Sequence, residues 1–137
     1  MKPFIIFFKD LAIKDVPVVG GKNASLGEMY SKLSGKGIRV PNGFATTADA
    51  YFYFLEQAGI KEEIKKILNG LNTRNILDLA KRGRAVRQTI LRAQLPTELE
   101  AEIISAYKKL SKEYAPSLLR RGGDLDVAVR SSATAED

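Results

Sequence analysis

Two short stretches of the sequence carry residues that could bind phosphate. The first, "GGKNAS" (residues 20–25), places two glycines and Lys22 at the start of a segment with helical periodicity. The first N–H groups of a helix have no partner within it and attract anions, and glycine lets the backbone approach an oxyanion closely. These features suit a phosphate site. A tight turn with a solvated lysine explains the same residues, and this stretch alone favours that simpler interpretation.

The first stretch matches neither of the common nucleotide-binding signatures. A P-loop has Gly six residues before the lysine and Ser or Thr directly after it. Val16 and Asn23 occupy those positions here, and the chain has no G-x-G-x-x-G fingerprint. A further Gly-Lys element, "SGKG" (34–37), follows a predicted helix, so we interpret it as a C-terminal cap.

The second stretch is "VAVRSSATAED" (127–137), in which Arg130 ends a predicted buried strand over residues 126–131. Ligands of open α/β sheets bind beyond the carboxyl ends of strands, and a guanidinium there can hold phosphate oxygens through paired hydrogen bonds. Pairing of Arg130 with a carboxylate such as Asp126 is an equally good interpretation. Possible further ligands follow the arginine: the hydroxyls of Ser131, Ser132 and Thr134, and Glu136 and Asp137, which face either a metal or solvent.

The elements that would position these stretches are short strands and amphipathic helices. A buried strand is predicted over 2–8, a loop over 9–21, and a helix from Asn23 to the glycines at 34–37. Two short extended pieces follow up to Thr47. Four more helices are predicted: Thr47 to Gly59, 61–68, a segment capped by Thr73, and one opened by Pro96-Thr97. The predicted fold class is mixed α/β (α+β), with short strands at both ends and several helices between.

The net charge of +6 is concentrated in the helical middle of the chain. Residues 61–121 hold 14 basic and 7 acidic residues, and the basic ones fall largely between apolar positions of amphipathic helices. Few aromatic residues lie near them, and neither a recognition helix nor a zinc module is evident. We therefore expect a solvated face and no nucleic-acid partner. The alternative is a non-catalytic module that binds a polyanion or a partner protein.

The sequence contains no Cys and no His. Disulfides and thiolate metal sites are excluded, which fits a reducing compartment. Chemistry that needs imidazole, including a phosphohistidine, must come from elsewhere. The N-terminal apolar run "FIIFF" is too short to span a bilayer or to form a signal-peptide core. We therefore expect a cytoplasmic protein with no membrane contact.

The order and spacing of the two stretches resemble the start of phosphoenolpyruvate synthases (pyruvate, water dikinases), in the family that includes pyruvate phosphate dikinase and rifampin phosphotransferase. The resemblance covers nearly the whole chain and is dense over residues 18–55 and 127–137. "RSSATAED" is more similar to the water dikinase and rifampin enzymes than to the phosphate dikinase. The resemblance implies that residues 1–137 are the incomplete N-terminal portion of an ATP-grasp nucleotide-binding domain.

The resemblance also implies roles for individual residues. Lys22 and Arg130 would hold the triphosphate of ATP, and the loop over the phosphates would begin with Ser131, Ser132 and Thr134. The ligands of Mg²⁺ would lie outside this chain. In the family, ATP passes its β-phosphoryl group to a histidine, which phosphorylates pyruvate to phosphoenolpyruvate and leaves AMP and phosphate.

Because the chain has no histidine, we expect no catalytic residue in it and no turnover by the chain alone. The expected partners are ATP and the remaining domains of a full-length enzyme, whose acceptor could also be that of a related dikinase or a rifampin-type phosphotransferase. If the strand predicted over 126–131 normally pairs with later strands, its exposed edge would allow a homodimer.

Overall fold

The computed structural model describes residues 3–118 and 125–135 of the chain. Within them, 3-10 turns at Phe8–Asp10, Ile13–Asp15 and Ser34–Lys36 connect longer elements. The strands are β1 (Ile5–Phe7) and β2 (Phe44–Thr46). The helices are α1 (Val16–Val19), α2 (Gly21–Leu33), α3 (Ala48–Gln57), α4 (Lys61–Leu68), α5 (Ile76–Arg92) and α6 (Thr97–Leu118). This architecture confirms the mixed α+β class.

The described chain forms two compact units. The first comprises Met1–Tyr51 and Glu98–Asp137, within the residues described, and the second comprises Phe52–Thr97. The first unit contains the small sheet and both stretches that were predicted to bind phosphate. The second contains α4 and α5 and most of the basic helical surface.

The first unit is organised around an antiparallel pair of strands. β1 pairs with β2 in the register Ile5 to Thr46 and Phe7 to Phe44. The rings of Phe7 and Phe44 lie 5.8 Å apart, a distance typical of a stabilising tilted aromatic pair. Beside the strands lies a core cluster of buried side chains: Phe8, Leu11, Val19, Ala24 and Ala45.

Helix α2 packs tightly on the segment between the 3-10 turns because its inner face carries small residues. Ala24 is fully buried. A Cβ atom built on Gly27 would lie only 2.3 Å from Cβ of Leu11, so no larger residue fits there without movement. The lack of a side chain at Gly27 therefore allows α2 to lie this close to the preceding segment.

A carboxylate also attaches α2 to that segment. Glu28 accepts a hydrogen bond from the backbone N–H of Ile13 at 3.1 Å and pairs with Lys32 one turn later. The hydrogen bond from Lys32 and the Ile13 N–H both lower the pKa of the Glu28 carboxyl. The carboxylate therefore stays charged, and able to accept both bonds, to lower pH than an ordinary glutamate.

The strand predicted over 126–131 is not formed. Residues 125–133 have no regular secondary structure, and Val129 is 92% exposed. A strand needs a neighbour for its backbone N–H and C=O groups, and the only ladder within the described residues is that of β1 with β2. The prediction of a strand at both ends is therefore wrong at the C-terminal end. The homodimer predicted through that strand edge loses its structural basis.

The loop predicted over residues 9–21 is more structured than expected. It contains two 3-10 turns and the single-turn helix α1, in which Pro17 occupies the first turn. Proline is tolerated there because the first N–H groups of a helix have no intrahelical acceptor. Helix α2 accordingly begins at Gly21, two residues before the predicted Asn23.

Thr47 caps α3 as predicted, whereas the predicted cap of α5 is wrong. The Thr47 hydroxyl accepts a hydrogen bond from the N–H of Ala50 at 3.2 Å. Helix α5 is capped not by Thr73 but by Asn75, whose side chain accepts from the N–H of Asp78 at 3.1 Å. Asparagine caps helices as well as threonine does, so residue type alone did not separate the two candidates.

In the second unit, the side chain of Arg82 fastens α5 to the end of α4. Its Nε donates to both carboxylate oxygens of Asp78, at 2.9 and 3.0 Å. Its Nη1 donates to the carbonyl oxygens of Ile67 and Asn69, at 2.8 and 2.6 Å. These two carbonyls lie at the C-terminal end of α4 and accept no hydrogen bond from within the helix. Arg82 therefore supplies the donors that they lack.

The longest helix, α6, follows the periodicity predicted for it. Leu99, Ala106 and Leu110 are buried, as expected for positions that recur on one helical face. No helix in the described part of the chain is long and apolar enough to cross a membrane.

Two helix-interior glycines should respond in opposite ways to substitution by alanine. Gly27→Ala forces a Cβ against Leu11 and should lower the free energy of unfolding by about 1–3 kcal/mol. In Gly83→Ala, in α5, the new Cβ contacts only the end of the Arg87 side chain, at 3.4 Å. This change should raise the free energy of unfolding by about 0.5–1 kcal/mol. Urea denaturation of both variants checks this, and a stabilising Gly27→Ala would contradict the tight packing.

Candidate functional site

The structure brings the two predicted phosphate-binding stretches into direct contact. The backbone N–H of Gly21 donates to the carbonyl oxygen of Ala133 at 3.2 Å. The backbone N–H of Asn23 donates to Oγ of Ser132 at 3.3 Å, across 109 positions of sequence. The N-terminus of α2 and residues 132–133 therefore form one site, which we call the α2 junction.

Gly20 permits this approach. Its backbone, with φ 81° and ψ 162°, lies in a region that is essentially restricted to glycine. A Cβ atom there would stand 2.3 Å from Oγ of Ser132 and 2.7 Å from the carbonyl oxygen of Ala133. The first glycine of "GGKNAS" therefore makes room for the chain itself.

The first N–H groups of α2 were predicted to attract phosphate. Several of them instead donate hydrogen bonds to other atoms of this chain. Gly21 and Asn23 donate to residues 132–133, and the N–H of Ala24 donates to the carbonyl of Gly20 at 3.0 Å. The side chain of Asn23 donates to the carbonyl of Val19 at 2.9 Å, which holds the turn between α1 and α2. The helix N-terminus thus positions the Ser-rich segment, and the N–H groups of Gly21, Asn23 and Ala24 already have acceptors within the chain.

The side chains predicted to bind phosphate differ in their environment. Ser132 is half-buried because it contacts the start of α2, whereas the others are exposed: Lys22, Arg130, Ser131 and Thr134. Within residues 3–118 and 125–135, Arg130 forms no ion pair with Asp126, the carboxylate that the sequence suggested as its partner.

The two cationic residues flank the α2 junction along the chain. Lys22 lies between Gly21 and Asn23, the two residues whose N–H groups are bound by the other stretch. Arg130 precedes Ser132 by two residues, which is at most about 7 Å of extended chain. The contact therefore brings the backbone positions of Lys22 and Arg130 into one part of the first unit.

Among the described residues, no group of three or more His, Cys, Asp or Glu side chains is placed to hold a metal ion. Glu136 and Asp137, which the sequence offered as possible metal-facing carboxylates, lie outside the described residues.

The role of Ser132 at the start of α2 was not predicted from the sequence. One signal was present: the N-cap position of α2 is Gly20, which has no side chain to accept a hydrogen bond from the first turn. A helix that begins this way must obtain acceptors from water, from a ligand or from another part of the chain. The sequence does not say which of these three supplies them.

Comparison with known proteins gives a consistent result over almost the whole chain. The family model described as pyruvate phosphate dikinase, AMP/ATP-binding domain, matches residues 16–137. The phosphoenolpyruvate synthase of Aquifex aeolicus is 46% identical over 136 residues, or 99% of this chain and 15% of the relative. Those of Neisseria meningitidis and Escherichia coli are 48% and 45% identical, over 98% of this chain and 16% of each relative. The chain thus spans about a sixth of the length of these relatives.

Gly20→Ala should be far more damaging than the same change at Gly37. Both glycines have φ 81°, but nothing lies within 4 Å of a Cβ at Gly37, and its ψ of 4° is left-handed helical. We expect a loss of about 1 kcal/mol at Gly37 and about 3 kcal/mol or more at Gly20. Denaturation of both variants measures the difference, and equal losses would show that the α2 junction contributes no steric constraint.

Ser132→Ala removes the hydroxyl that accepts from the N–H of Asn23 and should lower the free energy of unfolding by about 1 kcal/mol, as for other helix caps. Ser131→Ala is the matched control, because Ser131 is exposed. Its effect should stay within about 0.5 kcal/mol. Thermal denaturation of the two variants compares them, and an equal effect at both serines would argue against capping by Ser132.

Proposed function

This chain belongs to the pyruvate phosphate dikinase family of AMP/ATP-binding domains, and we propose that its α2 junction binds the triphosphate of ATP. One observation supports the proposal: Gly21 and Asn23, on either side of Lys22, contact residues 132–133, which follow Arg130 closely in sequence. Neither stretch alone distinguished a phosphate site from a turn. Their contact favours the phosphate site because it brings together the two stretches that carry the cations and hydroxyls.

The side chains at the α2 junction divide the task of holding a triphosphate. Arg130 can bind two phosphate oxygens with one planar guanidinium, and Lys22 supplies a mobile point charge. Both residues are exposed and therefore accessible to a ligand from solvent. Charge spread over the oxygens of a transferring phosphoryl group is stabilised mainly by cations that lie close to it.

The hydroxyls are proposed to bind the same phosphates. Ser131 and Thr134 are exposed and can donate to a phosphate oxygen. Ser132 uses its oxygen to accept from the N–H of Asn23, which leaves its hydroxyl hydrogen available as a donor. In this arrangement Ser132 both anchors the Ser-rich segment and contacts the ligand.

We place this site in the N-terminal part of an ATP-grasp domain within a phosphoenolpyruvate synthase, the name that the relatives carry. In that reaction, ATP donates its β-phosphoryl group to a histidine, and the histidine phosphorylates pyruvate to phosphoenolpyruvate. Water takes the remaining phosphate, and AMP is released. Because these 137 residues contain no histidine, the phosphohistidine lies outside them, and the chain alone does not complete the reaction.

Mg²⁺ is expected to accompany ATP and would reduce the repulsion among its phosphate oxygens. The described residues offer no group of carboxylates placed to hold it. In the proposal, its protein ligands belong to other parts of the enzyme, and the residues of this chain contribute only to binding and orienting the triphosphate.

Calorimetric titration of ATP with Mg²⁺ into the chain tests the proposed site. Lys22→Ala and Arg130→Ala should each weaken binding about tenfold or more, because each removes a charged hydrogen-bond donor to phosphate. Lys36→Ala removes the lysine of the other Gly-Lys element, which follows a helix, and should leave the affinity unchanged.

Three results would count against the proposed site. Undiminished binding by both variants would place the triphosphate elsewhere on the chain. An equal loss in Lys36→Ala would show a response to net charge and not to a site. Absence of saturable binding by the wild-type chain would show that these residues do not form the site by themselves.

A further inference from the structure

The chain contains two Asn-Gly dipeptides, Asn42-Gly43 and Asn69-Gly70, which the structure holds very differently. Asn-Gly is chemically reactive because glycine offers no side chain to hinder attack by its own backbone nitrogen. We propose that Asn69 is a site of spontaneous deamidation in the folded protein, and that Asn42 is protected by its contacts. The proposal is independent of nucleotide binding.

The reaction needs only water. The backbone nitrogen of the glycine attacks Cγ of the asparagine, forming a C–N bond, and the bond from Cγ to Nδ2 breaks with loss of ammonia. The nitrogen gives up its proton in the process. Water then opens the resulting cyclic imide at either carbonyl, and the product is aspartate or isoaspartate. The nitrogen must approach the face of the side-chain carbonyl, so both groups must be able to rotate.

The side chain of Asn69 is able to rotate, and its backbone carbonyl accepts a hydrogen bond from Arg82. Asn69 and Gly70 are exposed, directly after the end of α4. Nothing lies within 4 Å of a Cβ at Gly70, and its φ of 68° is accessible at low cost only to glycine. Within the described part of the chain, no hydrogen bond holds the side-chain amide of Asn69.

The charges beside Asn69 favour the reaction as well. Lys65 and Lys66 line the same shallow surface concavity as Asn69. The guanidinium of Arg82 donates to the Asn69 carbonyl at 2.6 Å. Nearby cations stabilise the anion that forms when the glycine nitrogen loses its proton and attacks.

Hydrogen bonds hold the side chain of Asn42, its backbone N–H and the N–H of Gly43. Its Nδ2 donates to Oε2 of Glu113 at 2.8 Å, and its backbone N–H donates to the hydroxyl of Tyr114 at 2.8 Å. The N–H of Gly43 donates to Oδ1 of Asn42 at 2.9 Å, so it presents its hydrogen to the amide oxygen instead of its nitrogen to Cγ. Attack requires these bonds to break.

Packing restrains Gly43 in addition. A Cβ built on Gly43 would lie 2.7 Å from a ring carbon of Phe8, so the ring covers one side of the glycine. The carbonyl of Gly43 accepts from the N–H of Phe8 at 3.0 Å. Rotation of the peptide bond between Asn42 and Gly43 would therefore disturb the edge of the core cluster.

Deamidation at Asn69 would change the end of α4. The product carries a carboxylate next to the guanidinium of Arg82, which already bonds the backbone carbonyl of the same residue. The isoaspartate product also adds a methylene group to the backbone and so displaces that carbonyl. The modification thus acts on the hydrogen bonds by which α5 holds the end of α4.

The test is incubation of the folded chain in mildly alkaline buffer, followed by tryptic digestion and mass spectrometry of the peptides spanning residues 67–74 and 40–61. The rate of deamidation should be at least about tenfold higher at Asn69 than at Asn42. This factor corresponds to the free energy of the hydrogen bonds that Asn42 must break before it reacts. In denaturant, where both dipeptides are free, the two rates should become similar.

Two variants separate protection by structure from sequence effects. Glu113→Ala removes the acceptor for the Asn42 side chain and should raise the rate at Asn42, and Tyr114→Phe should act in the same direction. Asn69→Gln should abolish the fast phase. Equal rates in the folded chain, a faster reaction at Asn42, or an unchanged Asn42 rate in both variants would overturn the proposal.

Discussion

The first turn of α2 must find hydrogen-bond acceptors beyond its own helix, and residues 132–133 supply two of them. Gly20 at the N-cap position has no side chain for this purpose. Ser132 and Ala133 provide two oxygens, and the lack of a side chain at Gly20 lets them come close enough to do so. The same groups that would attract a phosphate therefore hold the segment whose side chains are proposed to bind it. Structural and binding roles share one junction.

Local patterns in the sequence were sufficient to locate helices α2 to α6 and to single out the candidate ligands. The periodicity of α6 and the cap at Thr47 follow from neighbours within one or two turns. The absence of a strand at 126–131 could not be predicted in this way, because strand formation depends on a partner segment that composition does not reveal. The position of Ser132 at α2 likewise depends on a contact across 109 residues.

The second unit shows how polar side chains organise two helices with few fully buried residues. Among the residues described, α5 buries none completely, yet Arg82 ties it to the carbonyls that end α4. Asn75 and Asp78 complete the arrangement by capping α5 and holding the arginine. Threonine and asparagine are interchangeable in sequence rules for caps, so only the structure could assign the cap to Asn75. Geometry at this end is therefore set by a few hydrogen bonds more than by packing.

The separation of 109 residues between the partners at the α2 junction has a kinetic consequence. Closing so long a loop costs about 2 kcal/mol more conformational entropy than closing one of ten residues. Contacts of this kind form late in folding, after local helices and hairpins. During synthesis, α2 can form as soon as its own residues leave the ribosome. Its first N–H groups must then be hydrated by water until residues 132–133 emerge and displace it.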